Sequence, residues 1–248
     1  MVRQEKRQER EQHILDCAWR LVAEDGFLAL RISELAKVAS VSVGTLYAHF
    51  ESKEDLIIAM SMDSWDHKLS YTARILELDL DAAERVVAVP IGFYLFDHHN
   101  PVCFEAQQLA GVPSIWRKAS PRRHQSILDA CQEFESRLVP LIEEALRDGA
   151  FEAKYEKQLM IDAIEFTQMS LAAGNAYISH VFLPESERDQ MQRRQQQGMP
   201  HFVMSAFRGF GLQREDEMAL YQRLVDECLS LSPKRLFPEC HQTEINRP

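Results

Sequence analysis

The chain predicts an all-α fold: an N-terminal three-helix helix-turn-helix domain followed by a larger helical domain. Three observations carry that expectation. Leu, Ala, Glu, Gln, Arg and Met are plentiful, and all are good helix formers. Glycine is scarce, at 9 of 248 residues, and β-branched runs are few. Apolar residues recur every three or four positions along most of the length.

The first helix is expected over about Arg7 to Asp25. Ile14, Leu15, Ala18, Trp19 and Val22 form a one-sided stripe, and Gly26 stands where a C′ residue would. A second helix spans Ile32 to Ala39, with Ile32, Leu35, Ala36 and Ala39 facing inward. A tight break at Ser40-Val41-Ser42 leads to a third helix, Val43 to His49, with Ser42 as N-cap and Leu46 and Phe50 as apolar anchors. Thr45, Tyr47 and His49 fall on a face that packing does not need. A fourth helix starts after Ser52, where Ser52 and Asp55 are spaced as a capping box.

Beyond Ile58, Asp81 and Glu84 read as cap and N3 of a helix over 82–99, kinked at Pro90. Asn100-Pro101 and Ser120-Pro121 each read as an N-cap followed by proline at N1. The second opens a helix with apolar positions from Ile127 to Ala145, interrupted at Pro140 and closed by Gly149. A longer helix runs from Lys154 to Val181. Residues 184–199 are polar and Gln-rich and predict a mobile loop, with Pro200 opening a short helix. The last helix lies within Asp216 to Leu231. The expected domains are therefore 1–58, 59–232 and a flexible tail, 233–248.

Composition excludes several classes. No apolar run reaches the ~18 residues that a membrane span requires. The charged start MVRQEKRQEREQ lacks the apolar core of a signal peptide. Five scattered cysteines without a CxxC fit reduced thiols in the cytoplasm. No metal is expected: Asp97, His98, His99 and Cys103 are irregularly spaced, and adjacent histidines diverge on a helix. No glycine-rich phosphate loop, GxSxG or HExxH is present, so neither catalytic residues nor a cofactor are expected. The net charge is −10, yet residues 1–53 hold 8 basic and 8 acidic side chains, so the acidity lies wholly downstream. A neutral first domain neutralises few phosphates, and modest non-specific affinity for DNA follows.

Two short helices about a tight break are the elements of a helix-turn-helix, whose second helix enters the major groove. The stretches ILDCAWRLVAEDGF and ISELAKVASVSVGTLYAHFESKEDL, within residues 14–58, resemble the N-terminal domain of the TetR family of transcriptional regulators. Gly26-Phe27, Ala36, the run Val41 to Phe50, and Ser52 to Glu54 carry the likeness, which covers about a fifth of the chain. The resemblance implies that Tyr47, His49 and Lys53 hold phosphates, with the Ser42 hydroxyl and the first amides of the third helix adding to that grip. Gly44 would let backbone approach the DNA strand, Val43 and Thr45 would reach base edges, and Ser33 a phosphate. Arg31, in place of the family's Thr or Ser cap, would reach the DNA backbone. The sequence departs from many relatives at Val43, where Lys or Arg is common, and at Ser40, where glycine is common.

The resemblance further implies a C-terminal ligand-binding and dimerisation domain. Candidate pocket residues are Phe93, Phe96, Phe104, Trp116, Met169 and Tyr177. The implied protein is a homodimer paired through its last two long helices, with Ala172, Ala173 and Gly174 allowing close approach. Its partners would be a double-stranded DNA operator and a small hydrophobic effector, with no membrane. The alternative class is a helical small-molecule-binding protein or enzyme with a vestigial DNA-binding domain.

Overall fold

The computed structural model describes residues 2–180, 184–212 and 214–233, and of these the side chains of 2, 3, 172, 175–180 and 185 are not included. Among them are eleven helices and no strand: α1 (Val2–Ala29), α2 (Ile32–Val38), α3 (Val43–His49), α4 (Lys53–Leu76), α5 (Ala82–His99), α6 (Pro101–Ala110), α7 (Pro113–Trp116), α8 (Pro121–Arg147), α9 (Lys157–His180), α10 (Glu185–Arg208) and α11 (Glu217–Ser230). They group into two compact units. One comprises the residues up to Trp65 together with Val102–Ile127; the other comprises Asp66–Pro101 and the described residues from Leu128 onward. The divisions fall inside α4, α6 and α8.

In the first unit, α1, α2 and α3 close around Ile14, Trp19, Leu35, Leu46 and Phe50, all essentially inaccessible to solvent. The Trp19 indole donates to the Asp63 carboxylate at 2.7 Å, satisfying its buried N–H. The first helix begins earlier than expected, at Val2, because Gln, Glu, Lys and Arg are strong helix formers even with like-charged neighbours. Gly26 breaks its regular geometry with φ 78 and ψ 166, a conformation open to glycine. Farther along, Ile58, Ala110 and Ala119 form a cluster lined by Trp116 and Ile127.

In the second unit α5 is buried on every side from Val86 to Asp97, as a helix apolar all round must be. Its start is a complete capping box between Asp81 and Glu84. The α9 and α11 helices pack on α5, and α10 packs on α9. At Gly92 a Cβ would sit 2.1 Å from the Ile75 side chain, so glycine is what permits the close approach of α4 there.

One expectation is overturned. Residues 185–199 belong to the helix α10, capped by Pro184, and Pro200 lies inside it rather than opening a new one. Met191, Gln195, Met199, Val203 and Phe207 recur at four-residue spacing; the last three are buried and the first two half-buried. The polar first half hid this stripe, but Gln, Arg, Glu and Met carry no penalty in a helix. The short α7 was also not anticipated. The tail from residue 234, Val181 and Phe182 lie outside the described residues.

Candidate nucleic-acid interface

The third helix is held by its own ends. Ser42 is in an extended conformation, and its hydroxyl accepts from the Thr45 amide at 3.0 Å. The Thr45 hydroxyl lies 2.8 Å from the same oxygen. Leu46 and Phe50 anchor the helix in the core, which turns the opposite face outward. Val43 is 42% and Tyr47 51% exposed, and Gly44 is exposed between them. A Cβ at Gly44 would meet nothing nearer than the Ser42 hydroxyl at 3.7 Å, so its surroundings are open. On α2, Arg31 and Ser33 are exposed, and Arg31 holds the cap position without capping through its side chain.

The turn between the helices is a Schellman motif. Val41 N–H reaches the Ala36 carbonyl at 2.9 Å and Ser40 N–H reaches Lys37 at 3.1 Å. Ser40 therefore adopts φ 54, the left-handed region that a side chain disfavours.

Two candidate residues face inward. The His49 ring lies 3.4 Å from the Glu11 carboxylate, and only 6% of its side chain is exposed. The Lys53 ammonium donates to the Phe27 carbonyl at 3.1 Å. Neither stands in solvent awaiting a phosphate. The exposed candidates are Arg31, Ser33, Ser42, Val43, Gly44 and Tyr47, with Thr45 half-buried beside its cap.

The residues that hold α3 from behind escaped the sequence reading. Arg7 donates to the Ala48 carbonyl at 3.1 Å. Glu11, one turn further along α1, takes His49 on one side and the guanidinium of Arg123 on the other, at 2.6 Å, with Arg122 as a further partner. Burial pushes the Glu11 carboxyl up, but the Arg123 hydrogen bond and charge, with Arg122 and His49, outweigh it and hold the group below its ordinary value. Arg123 also lies 5.4 Å from the Phe50 ring centre. The Asp55 amide donates to the Ser52 hydroxyl at 2.9 Å, the cap bond the spacing predicts, while its carboxylate accepts from the Glu51 amide at 3.2 Å and from the Ser120 amide at 2.8 Å. The one signal available in the sequence was the opposite-charge spacing of Arg7 and Glu11.

The candidate pocket residues are dispersed. Phe104 is buried and Trp116 half-buried in the first unit, where Trp116 packs on His124 at 4.4 Å. In the second unit Phe93 and Phe96 are buried against the Lys68 ammonium, at 5.3 and 5.7 Å. Lys68 pairs with Asp97 at 2.6 Å, and Gln168 donates to Asp97 at 3.2 Å, a buried polar group inside an apolar helix layer. Met169 is 59% exposed on α9, and the Tyr177 side chain lies outside the described set. An open cavity of about 560 Å³ in the second unit is lined by Asp81, Ala82, Ala145, Gly149 and Arg214, and holds none of the aromatic candidates. Among the described residues no group of three or more metal-ligating side chains occurs, and no helix is long and apolar enough to cross a membrane.

Residues 14–60 match the family described as bacterial regulatory proteins, tetR family. The HTH-type transcriptional regulator AcrR of Shigella flexneri is 47% identical over 49 residues, which is 20% of this chain and 23% of that protein. The match thus spans less than a quarter of that relative. The HTH-type transcriptional repressor KstR2 of Rhodococcus jostii (strain RHA1) is 23% identical over 60% of this chain and 72% of its own. Among solved structures, RolR in complex with resorcinol superposes with a TM-score of 0.54 at 17% identity, over 95% of this chain and 98% of that one. At that identity the likeness speaks for the fold.

Proposed function

The chain belongs to the TetR family through its N-terminal domain, and from that premise we propose that it is a ligand-responsive DNA-binding transcriptional regulator acting as a repressor. It binds a palindromic operator in the cytoplasm as a homodimer, and a small hydrophobic effector releases it. The observation that carries this reading is the outward face of α3. Val43 and Tyr47 are large, apolar or amphipathic, and half in solvent, while Leu46 and Phe50 of the same helix are buried. A seven-residue helix capped by Ser42 and docked this way offers its first turn to a groove. The repressor and effector parts draw on the likeness to the transcriptional repressor KstR2 and to RolR, which binds resorcinol.

Pairing is proposed through α9 and α10. Phe166 is 71% exposed on α9, beside the exposed Met169 and Ala173, and Phe202 is exposed on α10. Scattered exposed apolar residues are ordinary, but a row on two packed helices supports a pairing face there. Dimerisation would set two copies of α3 about 34–36 Å apart, one helical turn of DNA. Effector release requires that the ligand bind the state with poor operator affinity more tightly.

The test is fluorescence anisotropy with duplex from upstream of the chain's own coding region. Wild type is expected to bind with an affinity that falls as salt rises. Tyr47→Ala should weaken binding to every sequence by about tenfold, the scale of one or two lost phosphate or stacking contacts. Failure of wild type to bind that duplex or any member of a randomised pool would remove the DNA-binding reading in favour of a small-molecule-binding protein.

A further inference from the structure

We propose that Arg7 and Glu11 are positioning residues for operator recognition: four apart on α1, they clamp the last turn of α3 without themselves touching DNA. The inference rests on the DNA-binding reading above.

A helix of seven residues satisfies few of its own terminal carbonyls, and an isolated helix that short does not persist in water. The last turn of α3 must therefore be held from outside. Arg7 does so on the backbone, donating to the Ala48 carbonyl at 3.1 Å. Glu11 does so on the side chain, facing the His49 ring at 3.4 Å. Residues four apart on a helix share a face, so one stripe of α1 grips two consecutive residues of α3. The grip is braced in turn. Arg123, with 9% of its side chain exposed, pairs with Glu11 at 2.6 Å, and Arg122 is a second cation on the same carboxylate. A carboxylate carrying two guanidinium groups is fixed in place and passes that rigidity to the imidazole.

The arrangement explains why His49 faces inward. Held by Glu11, it serves as a peg that sets the rotation of α3 about its own axis. That rotation decides where Val43, Thr45 and Tyr47 point. A small error is costly, because base contacts demand alignment whereas phosphate contacts tolerate slack.

The full-length protein tests this with a duplex it selects from a randomised pool and a scrambled duplex of equal length. Wild type must first select a sequence; if it selects none, the DNA-binding reading fails and the clamp has nothing to position. Given selection, Arg7→Met should lower affinity for the selected duplex about tenfold and affinity for the scrambled one much less. The slope of log affinity against log salt should stay at the wild-type value. An arginine that contacts phosphate behaves otherwise, reducing the slope by about one and weakening both duplexes alike. That result, or unchanged affinity for both duplexes, overturns the proposal. Arg7→Lys keeps a donor for the carbonyl and should restore most of the discrimination. Should Arg7→Met lose its helical circular dichroism, Glu11→Gln carries the same test: lost discrimination at constant slope supports the clamp, and wild-type discrimination overturns it.

Discussion

At the scale of single residues, Ser40 and His49 teach different lessons. The left-handed conformation of Ser40 was legible, since the break between two short helices must turn within three residues and a Schellman ending places its C′ residue at positive φ. The side chain pays for nothing there, because the hydrogen bonds of the motif are all from backbone. Ser40→Gly should therefore relieve about 1 kcal/mol of strain, less the extra freedom glycine brings to the unfolded chain. A net gain of roughly 0.5 kcal/mol, or about 1–2 °C in thermal denaturation, is the expected outcome. A lower midpoint would show that Ser40 has a role the turn geometry does not reveal. His49 was not legible. The motif places it on the outward face, but its partner Glu11 lies 38 residues away, and no local pattern announces that pairing. Lys53 departs for the same reason, through a backbone carbonyl 26 residues distant.

At the scale of elements, local chemistry was readable wherever it was self-contained. The Ser42 cap, the Asp81–Glu84 box and the proline starts of α6 and α8 all involve residues within a few positions of one another. The α10 helix was unreadable because the polar half of its stripe takes its meaning from α9, which no window of sequence contains. The network behind α3 is likewise tertiary, and it has a titration signature. Glu11 is held below its ordinary value of 4.5, so it favours the folded state above that pH, and this contribution drains away as pH falls through the lowered folded value. Glu11→Gln should cost about 1–2 kcal/mol at neutral pH, with the penalty of leaving Arg123 under-paired. Urea denaturation at a series of pH values should show the gap between wild type and variant closing below pH 4.5. A gap that stays constant on acidification would mean that the Glu11 charge does not stabilise the fold.

At the scale of the whole molecule, the exposed aromatic rings of α9 and α10 are the feature that a lone copy leaves unexplained. A charge placed at the centre of an apolar interface is costly to desolvate, whereas the same charge on a free surface is nearly neutral. Phe166→Glu with Phe202→Glu should thus convert dimer to monomer in sedimentation velocity at micromolar concentration, with the thermal midpoint little lowered for the separated copy. A single species of unchanged mass for wild type and variant alike would remove α9 and α10 as the pairing face. Loss of pairing should also abolish discrimination between a palindrome and its isolated half, since one copy reads one half-site.

The bond between the Thr45 and Ser42 hydroxyls has a consequence for sequence preference. That bond, at 2.8 Å, ties the Thr45 hydroxyl to its own cap, and the exposed Val43 beside it is hydrocarbon. Hydrocarbon in a major groove finds its match in the 5-methyl group of thymine, which uracil lacks. Operator duplexes synthesised with deoxyuridine at single thymines should lose about 1 kcal/mol of binding at the one or two steps facing this turn, and nothing elsewhere. No response at any thymine would mean that the helix reads the groove by its polar edges instead.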